Sequence, residues 1–347
     1  MRPRPGLPFT QALLGGHHRL VWTTFTSRQV DLDVRHPAAR RYLSQVLHRL
    51  ADNGVAMVRL DAVGYAVKTA GTSCFLTPET MEFIDDIAGE ARLLGLEVLA
   101  EVHAPGHVAI DVATRVDRVY DFVLAPLILH ALFTGDGRRL HDWLARRPGN
   151  CVTVLDTHDG IGLIDAGPGA DAADTALSAA ELEGLVRTID RNSGGTSVAG
   201  VVPGGRFYQV SCTAYDALGR DDQRYLLARL VHLFVPGIPQ VYYAGLLAGR
   251  NVIPAARAGD PREINRPAYS EAEVVEALRR PVVTELCRLI RIRNAHPAFL
   301  GTFSLTSAPA GELRMAWRAG GARAELWVRL ADASYRLELT GPTALSS

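Results

Sequence analysis

Residues 55–61 read VAMVRLD, residues 96–101 read LEVLAE, and residues 152–158 read VTVLDTH with Asp159 next, so three short apolar runs lead to the carboxylates Asp61, Glu101 and Asp159. The runs are continuously apolar and do not alternate, as expected of parallel strands covered on both faces. In α/β barrels the chemistry sits at the carboxyl ends of such strands. Acids placed there on neighbouring strands aim into one pocket. Such a trio suits glycosyl transfer, in which one acid protonates the leaving oxygen and a carboxylate captures or stabilises an oxocarbenium-like sugar.

Outward from these runs the chain alternates helix and strand patterns. Pro37 fits a first helical turn, Tyr42, Leu43, Val46, Leu47 and Leu50 recur at helical spacing, and Gly54 stops the helix before VAMVRL. Thr77 and Pro78 open a second helix with a stripe through Met81, Ile84, Ile87, Ala91 and Leu94, ended by Gly95. Helices over 107–118, 137–147 and 221–235 lead to strand-like YDFVLAP, CVTVLD and GIPQVYYAG, making five strands. Residues 160–219 are rich in Gly, Ala, Asp and Ser with one helix over 178–191, and read as an active-site loop region. After a helix over 282–296, the alternation in LRMAWRA, AELWVRL and SYRLELT predicts a small antiparallel β domain over 301–347.

With 347 residues, 48% of them hydrophobic, the chain can bury a large core, and its formal charge of zero argues against nucleic acid as a partner. Lys68 is the only lysine among 37 basic side chains, a bias that reads as genome composition. Cys74, Cys151, Cys212 and Cys287 are too far apart for a CxxC motif and read as reduced, structural thiols of a cytoplasmic protein. The start, MRPRPGLPFTQALLGG, has no continuous apolar core, and no segment approaches the roughly 18 apolar residues of a membrane span. Membrane insertion and export are therefore not expected.

At RLDAVGY (59–65), AGTSCFLTPET (70–80), EVH (101–103), VDRVYDF (116–122), VLDTHDGIG (154–162), FYQV (207–210), YYAGLLAG (242–249) and INR (264–266) the chain resembles the sucrose phosphorylases of the α-amylase superfamily, from about Thr24 to Phe303. The resemblance implies a partial (β/α)8 TIM barrel, about strands 4 to 8 within residues 1–300. The 160–219 insertion and the C-terminal β domain would complete the chain. It makes Asp61 the nucleophile, Glu101 the general acid and base, and Asp159 the stabiliser of the transition state. Strand alternation puts Arg59 on the same face as Asp61, where a guanidinium keeps the nucleophile ionised and aimed. His158 would bind a glucose hydroxyl and Arg266 the far end of the glucose. Tyr65, His103, Tyr208 and Gln209 match positions on the acceptor side, where phosphate enters. The implied reaction is a double displacement in which inorganic phosphate, the co-substrate, releases α-glucose 1-phosphate with retention. The partners are a small sugar and phosphate, a homodimer is allowed, and neither cofactor nor metal is implied.

Duller readings compete residue by residue. An aspartate after a strand is often a helix cap, a lone histidine a structural hydrogen-bonder, and a buried arginine an ion-pair partner. Tyr242 and Tyr243 read as packing. His103 and His107 have HxxxH spacing, but no glutamate lies between them to complete a metalloprotease motif. The chain also departs from the resemblance in two ways. GGRFYQV places Arg206 and Phe207 where an acidic and an aliphatic residue usually stand, which reverses the charge at the acceptor and points to an anionic one, such as a sugar phosphate or glycerate, or to a differently arranged loop. Only 35 residues precede the first clear helix, where about three further βα units are expected. The chain is accordingly expected to be a truncated product, or one begun at a wrongly chosen Met1, poorly soluble and nearly inactive alone. A hydrolase or transglucosidase of the same superfamily and an inactive sugar-binding remnant are the alternatives.

Overall fold

Ahead of the first predicted helix lies a β-hairpin, in which β1 (Phe9–Leu14) and β2 (His17–Trp22) pair antiparallel from Phe9↔Trp22 to Leu14↔His17. Gly15 and Gly16 form its two-residue turn with φ of 59° and 79°, the left-handed pair such a hairpin requires. The computed structural model describes residues 6–168, 175–202, 204–253 and 260–341. It divides into two units, residues 1–103 with 108–120 and residues 104–107 with 121–347.

In the first unit, α1 (Pro37–Asp52) starts at His36, whose ring accepts from Ala38 N at 3.1 Å, and leads to β3 (Met57–Leu60). The second repeat starts at Thr77, whose hydroxyl accepts from Thr80 N at 3.3 Å, and runs through α2 (Pro78–Leu93) to β4 (Glu97–Ala100). The two strands pair parallel, Met57 with Glu97 through Leu60 with Ala100, and Phe83, Ile84 and Ile87 of α2 are buried along with Val98 and Leu99 of β4. After α3 (Gly106–Ala113), β5 (Arg118–Asp121) continues the parallel ladder by pairing Leu99 with Arg118.

The second unit corrects the reading of two apolar runs. YDFVLAP is strand only as far as Asp121. From Leu124 the chain is α4 (Leu124–Thr134), with Leu124 to Leu132 buried without a break. A helix buried all round carries no polar face, so its sequence looks like that of a buried strand. Next come α5 (Arg138–Arg146) and β6 (Cys151–Thr153). The region 160–219 is also more ordered than its composition predicts. It holds β7 (Ile161–Gly162), α6 (Ala179–Asn192), β8 (Val198–Val202) and β9 (Arg206–Ser211), with the strands in an antiparallel sheet of order β7-β9-β8. Residues 169–174 and 203 of that region, and 342–347 of the expected β domain, lie outside the described residues.

The one-turn helix α7 (Ala214–Ala217) precedes α8 (Asp222–Phe234), which Asp221 caps through Arg224 N at 3.0 Å. In GIPQVYYAG only β10 (Ile238–Pro239) is strand, parallel to β6, and Tyr243 already begins α9 (Tyr243–Leu246). Behind α10 (Glu271–Leu278) and α11 (Pro281–Ala295) come the predicted antiparallel strands. They are β11 (Thr302–Thr306), β12 (Glu312–Ala319), β13 (Ala322–Arg329) and β14 (Ser334–Thr340), in that spatial order. Trp317 of β12 donates to Phe234 O at 2.6 Å, tying this sheet to the end of α8.

Candidate active site

In the first unit Asp61 and Glu101 immediately follow the adjacent parallel strands β3 and β4, as the sequence requires. Arg59 lies between them. Its Nη1 is 2.8 Å from Asp61 Oδ1 and its Nη2 is 2.7 Å from Glu101 Oε2, so one guanidinium bridges both acids. The Tyr120 ring lies 5.9 Å from that guanidinium. Backbone geometry adds to the fit: Ala62, directly after Asp61, has φ 44° and donates its N–H to Glu101 Oε2 at 3.2 Å. A left-handed alanine costs about 1 kcal/mol, and here it turns an amide toward the Glu101 carboxyl.

The two acids sit in different surroundings. The Asp61 side chain is 70% exposed and that of Glu101 only 9%. Burial pushes the Glu101 carboxyl above the ordinary glutamate range, helped by a hydrogen bond and negative charge from Asp61 and opposed by Arg59 and by His103, whose Nε2 is 3.9 Å from Oε1. The two carboxyls thus differ sharply in burial although one arginine joins them. Tyr65 ends the 3-10 turn Val63–Tyr65, and its ring packs between Phe25 and Phe75, with centroids at 5.5 and 4.6 Å. Burial pushes its phenol up to about 12, so it stays a neutral hydroxyl.

In the second unit the segment after β6 closes a tight turn in which Thr157 and Gly160 exchange backbone hydrogen bonds at 3.0 Å, with His158 and Asp159 at its tip. Gly160 has φ 98°, and a Cβ there would overlap the Val210 carbonyl of β9. Arg266 donates to Asp159 Oδ1 at 3.0 Å and to His158 O at 2.7 Å. His158 Nε2 lies 3.6 Å from Asp159 Oδ1. The turn 261–265 packs on β9, the strand that carries Arg206, Tyr208 and Gln209. Tyr208 falls at a bulge, where the register shifts between Gly200, opposite Gln209, and Val201, opposite Phe207. Such a bulge re-aims side chains and is frequent beside active sites. Arg206, exposed at the start of β9, lines a cleft of about 360 Å³ with Phe207, Glu183, Leu182 and Ile164.

Several residues escaped the sequence reading. Arg262 donates to Asp159 Oδ1 at 3.1 Å while Asp260 grips it through bonds of 2.6 to 2.9 Å, so Asp159 meets two guanidiniums, Arg262 and Arg266, neither of which the sequence placed against it. Asn265 donates to Thr157 O and His158 O at 3.2 and 2.9 Å. Below the turn, Arg229 and Asp156 pair at 2.6 Å with side chains 0% and 2% exposed, and Asp156 also accepts from Ala214 N at 3.1 Å. A Cβ on Gly245 would overlap the Arg229 guanidinium. The motif INR signalled Arg266, but nothing local marks Arg262 or Arg229. Tyr242 and Tyr243, read as packing, also donate to Asn265 O and Pro267 O at 3.2 and 2.7 Å.

Among the described residues no group of three or more His, Cys, Asp or Glu side chains could hold a metal ion, and no helix is long and apolar enough to cross a membrane. The four cysteines are free, and burial pushes Cys151 and Cys212 up to about 12, far from a thiolate nucleophile.

The chain is thus an α/β protein in which one arginine bridges a buried and an exposed carboxyl at the ends of adjacent parallel strands. The α-amylase of H. orenii shares the fold at a TM-score of 0.62 and 15% identity, covering 94% of this chain and 63% of that one. The sucrose phosphorylase of Agrobacterium vitis is 45% identical over 345 residues, 98% of this chain and 71% of its own length. Sucrose 6F-phosphate phosphorylase from Thermoanaerobacter thermosaccharolyticum superposes at a TM-score of 0.90 with 36% identity, covering 98% of this chain and 71% of that one. The chain belongs to the sucrose phosphorylase family. It spans 66% of the length of two further curated relatives, and no family model matches it.

Proposed function

We propose that this chain carries out reversible phosphorolysis of an α-glucoside, sucrose or a close relative, by a retaining double displacement. The Asp61–Arg59–Glu101 arrangement carries the reading. Glu101, with its pKa raised chiefly by burial, holds a proton for the leaving oxygen while the exposed Asp61 carboxylate attacks the anomeric carbon. Inorganic phosphate then attacks the glucosyl ester. Its proton passes to Glu101, now the base, and α-glucose 1-phosphate leaves. Asp159 and His158 bind glucose hydroxyls, Arg266 grips the far side of the sugar, and Tyr65, His103, Tyr208 and Gln209 line the acceptor side. No cofactor takes part.

On this reading β3, β4, β5, β6 and β10 are strands 4 to 8 of a (β/α)8 barrel formed within residues 1–300, with 160–219 as its insertion and 301–347 as a separate β domain. Arg206 selects an anionic acceptor, because a guanidinium pairs with carboxylate or phosphate through charge-assisted bonds. Phosphate as co-substrate suits a cytoplasmic enzyme, and a homodimer is the assembly this reading carries.

The test is a screen of sucrose, sucrose 6′-phosphate, glucosylglycerol and glucosylglycerate with and without phosphate. Glucose 1-phosphate formed only with phosphate is the expected result. Free glucose formed at the same rate without phosphate assigns a hydrolase instead, and no turnover of any substrate refutes the reading.

A further inference from the structure

Lys68 is the one lysine in a chain whose other basic side chains are all arginine. A compositional drift that leaves a single lysine asks what an ammonium does there that a guanidinium does not. The side chain is 12% exposed and its Nζ faces three acceptors from different segments. It donates to Thr24 Oγ1 at 2.9 Å and to the Tyr65 carbonyl, and stands 3.5 Å from Asp31 Oδ1. Asp31 Oδ2 in turn accepts from the Thr24 amide and hydroxyl at 2.7 and 2.9 Å, and the Trp22 ring lies 5.9 Å from Nζ. Three donors on one compact cation thus meet three oxygens. A planar guanidinium, with its donors in a rigid fork, does not reproduce that arrangement.

What the ammonium holds is the frame of Tyr65. One acceptor is the carbonyl of Tyr65 itself, and another belongs to Thr24, whose neighbour Phe25 packs edge-on against the Tyr65 ring. Phe75 closes the other side, in a loop fastened by Leu76 N to Gly64 O at 2.8 Å. We propose that Lys68 is a positioning residue: its ammonium clamps the segment 22–31 onto the turn 63–65 and so fixes the Tyr65 ring, a set of three contacts that arginine cannot make. The inference rests on the reading above for the role of Tyr65 at the acceptor side. Burial draws the ammonium pKa down while Asp31 pulls it up, as fits a cation held inside a cage.

The experiment compares the full chain with Lys68→Arg and Lys68→Met by two readouts, amide hydrogen exchange and half-reaction kinetics. In both variants exchange should rise in segments 22–31 and 63–76 and stay unchanged in β4. In kinetics, attack by phosphate on the glucosyl enzyme should weaken about tenfold more than glucosylation by glucosyl fluoride, seen as a raised KM for phosphate, since loss of positioning falls on the step that Tyr65 serves. Unchanged exchange in Lys68→Arg overturns the clamp whether or not the chain turns over. Raised exchange with both half-reactions slowed equally overturns the link to Tyr65. A parent chain that never uses phosphate refutes the phosphorolysis reading, and the clamp then stands or falls on exchange alone.

Discussion

Replacing Arg59 by methionine removes the one charge shared by both acids while keeping most of the side-chain volume, and its effect on Glu101 follows from the geometry. The guanidinium nitrogen is 2.7 Å from Glu101 Oε2. With charge centres about 4 Å apart and an effective dielectric constant of about 20, the attraction is about 4 kcal/mol. Arg59 is one third exposed, so solvent screening reduces this to about 2 kcal/mol, or roughly 1.5 pH units for Glu101. Burial and Asp61 already raise this carboxyl, and losing the cation raises it further. The basic limb of kcat/KM, where the general acid loses its proton, should therefore move up by about one unit or more. The maximum rate should fall about 10- to 100-fold as Asp61 loses its orientation. Stability provides a reading independent of turnover. The fold raises this pKa, so the stability contributed by protonated Glu101 is present below the ordinary glutamate value and is lost as pH rises through the raised one. Urea midpoints of Arg59→Met should keep falling to higher pH than those of the parent. A basic limb and a stability profile that both stay in place, or move to lower pH, would refute the reasoning.

Asp61→Ala should abolish turnover, and a rate within about tenfold of the parent, equivalent to about 1.4 kcal/mol of barrier, excludes it as nucleophile. Glu101→Ala should keep activity on glucosyl fluoride, which needs little protonation, and equal losses on good and poor leaving groups reject it as the acid. Arg206→Ala should raise KM for an anionic acceptor far more than for a neutral one, and unchanged selectivity removes the acceptor argument. Gly160→Ala puts a methyl against the Val210 carbonyl at φ 98°, so unfolding free energy from denaturant titration should drop by about 2–4 kcal/mol. A loss below about 0.5 kcal/mol would contradict the tight turn.

The sequence by itself determined the parallel repeats and the place of the acids. Pro37, the cap at Thr77 and apolar runs ending at Asp61 and Glu101 are local signals, and adjacent parallel strands with matched ends put those acids side by side. The alternating pattern after Thr302 equally foretold an antiparallel sheet. Tertiary structure decided the rest. Whether FVLAP was strand or helix depended on α4 being enclosed on every side, which leaves no periodicity to read. The sheet within 160–219 arises from pairing between segments more than 40 residues apart, Ile161 with Val210, and composition carries no record of such a partner. Arg262, Arg229 and Lys68 act through residues 103, 73 and 44 positions away. A side chain's charge is written in the sequence, but the oxygen it meets is chosen only when the chain folds.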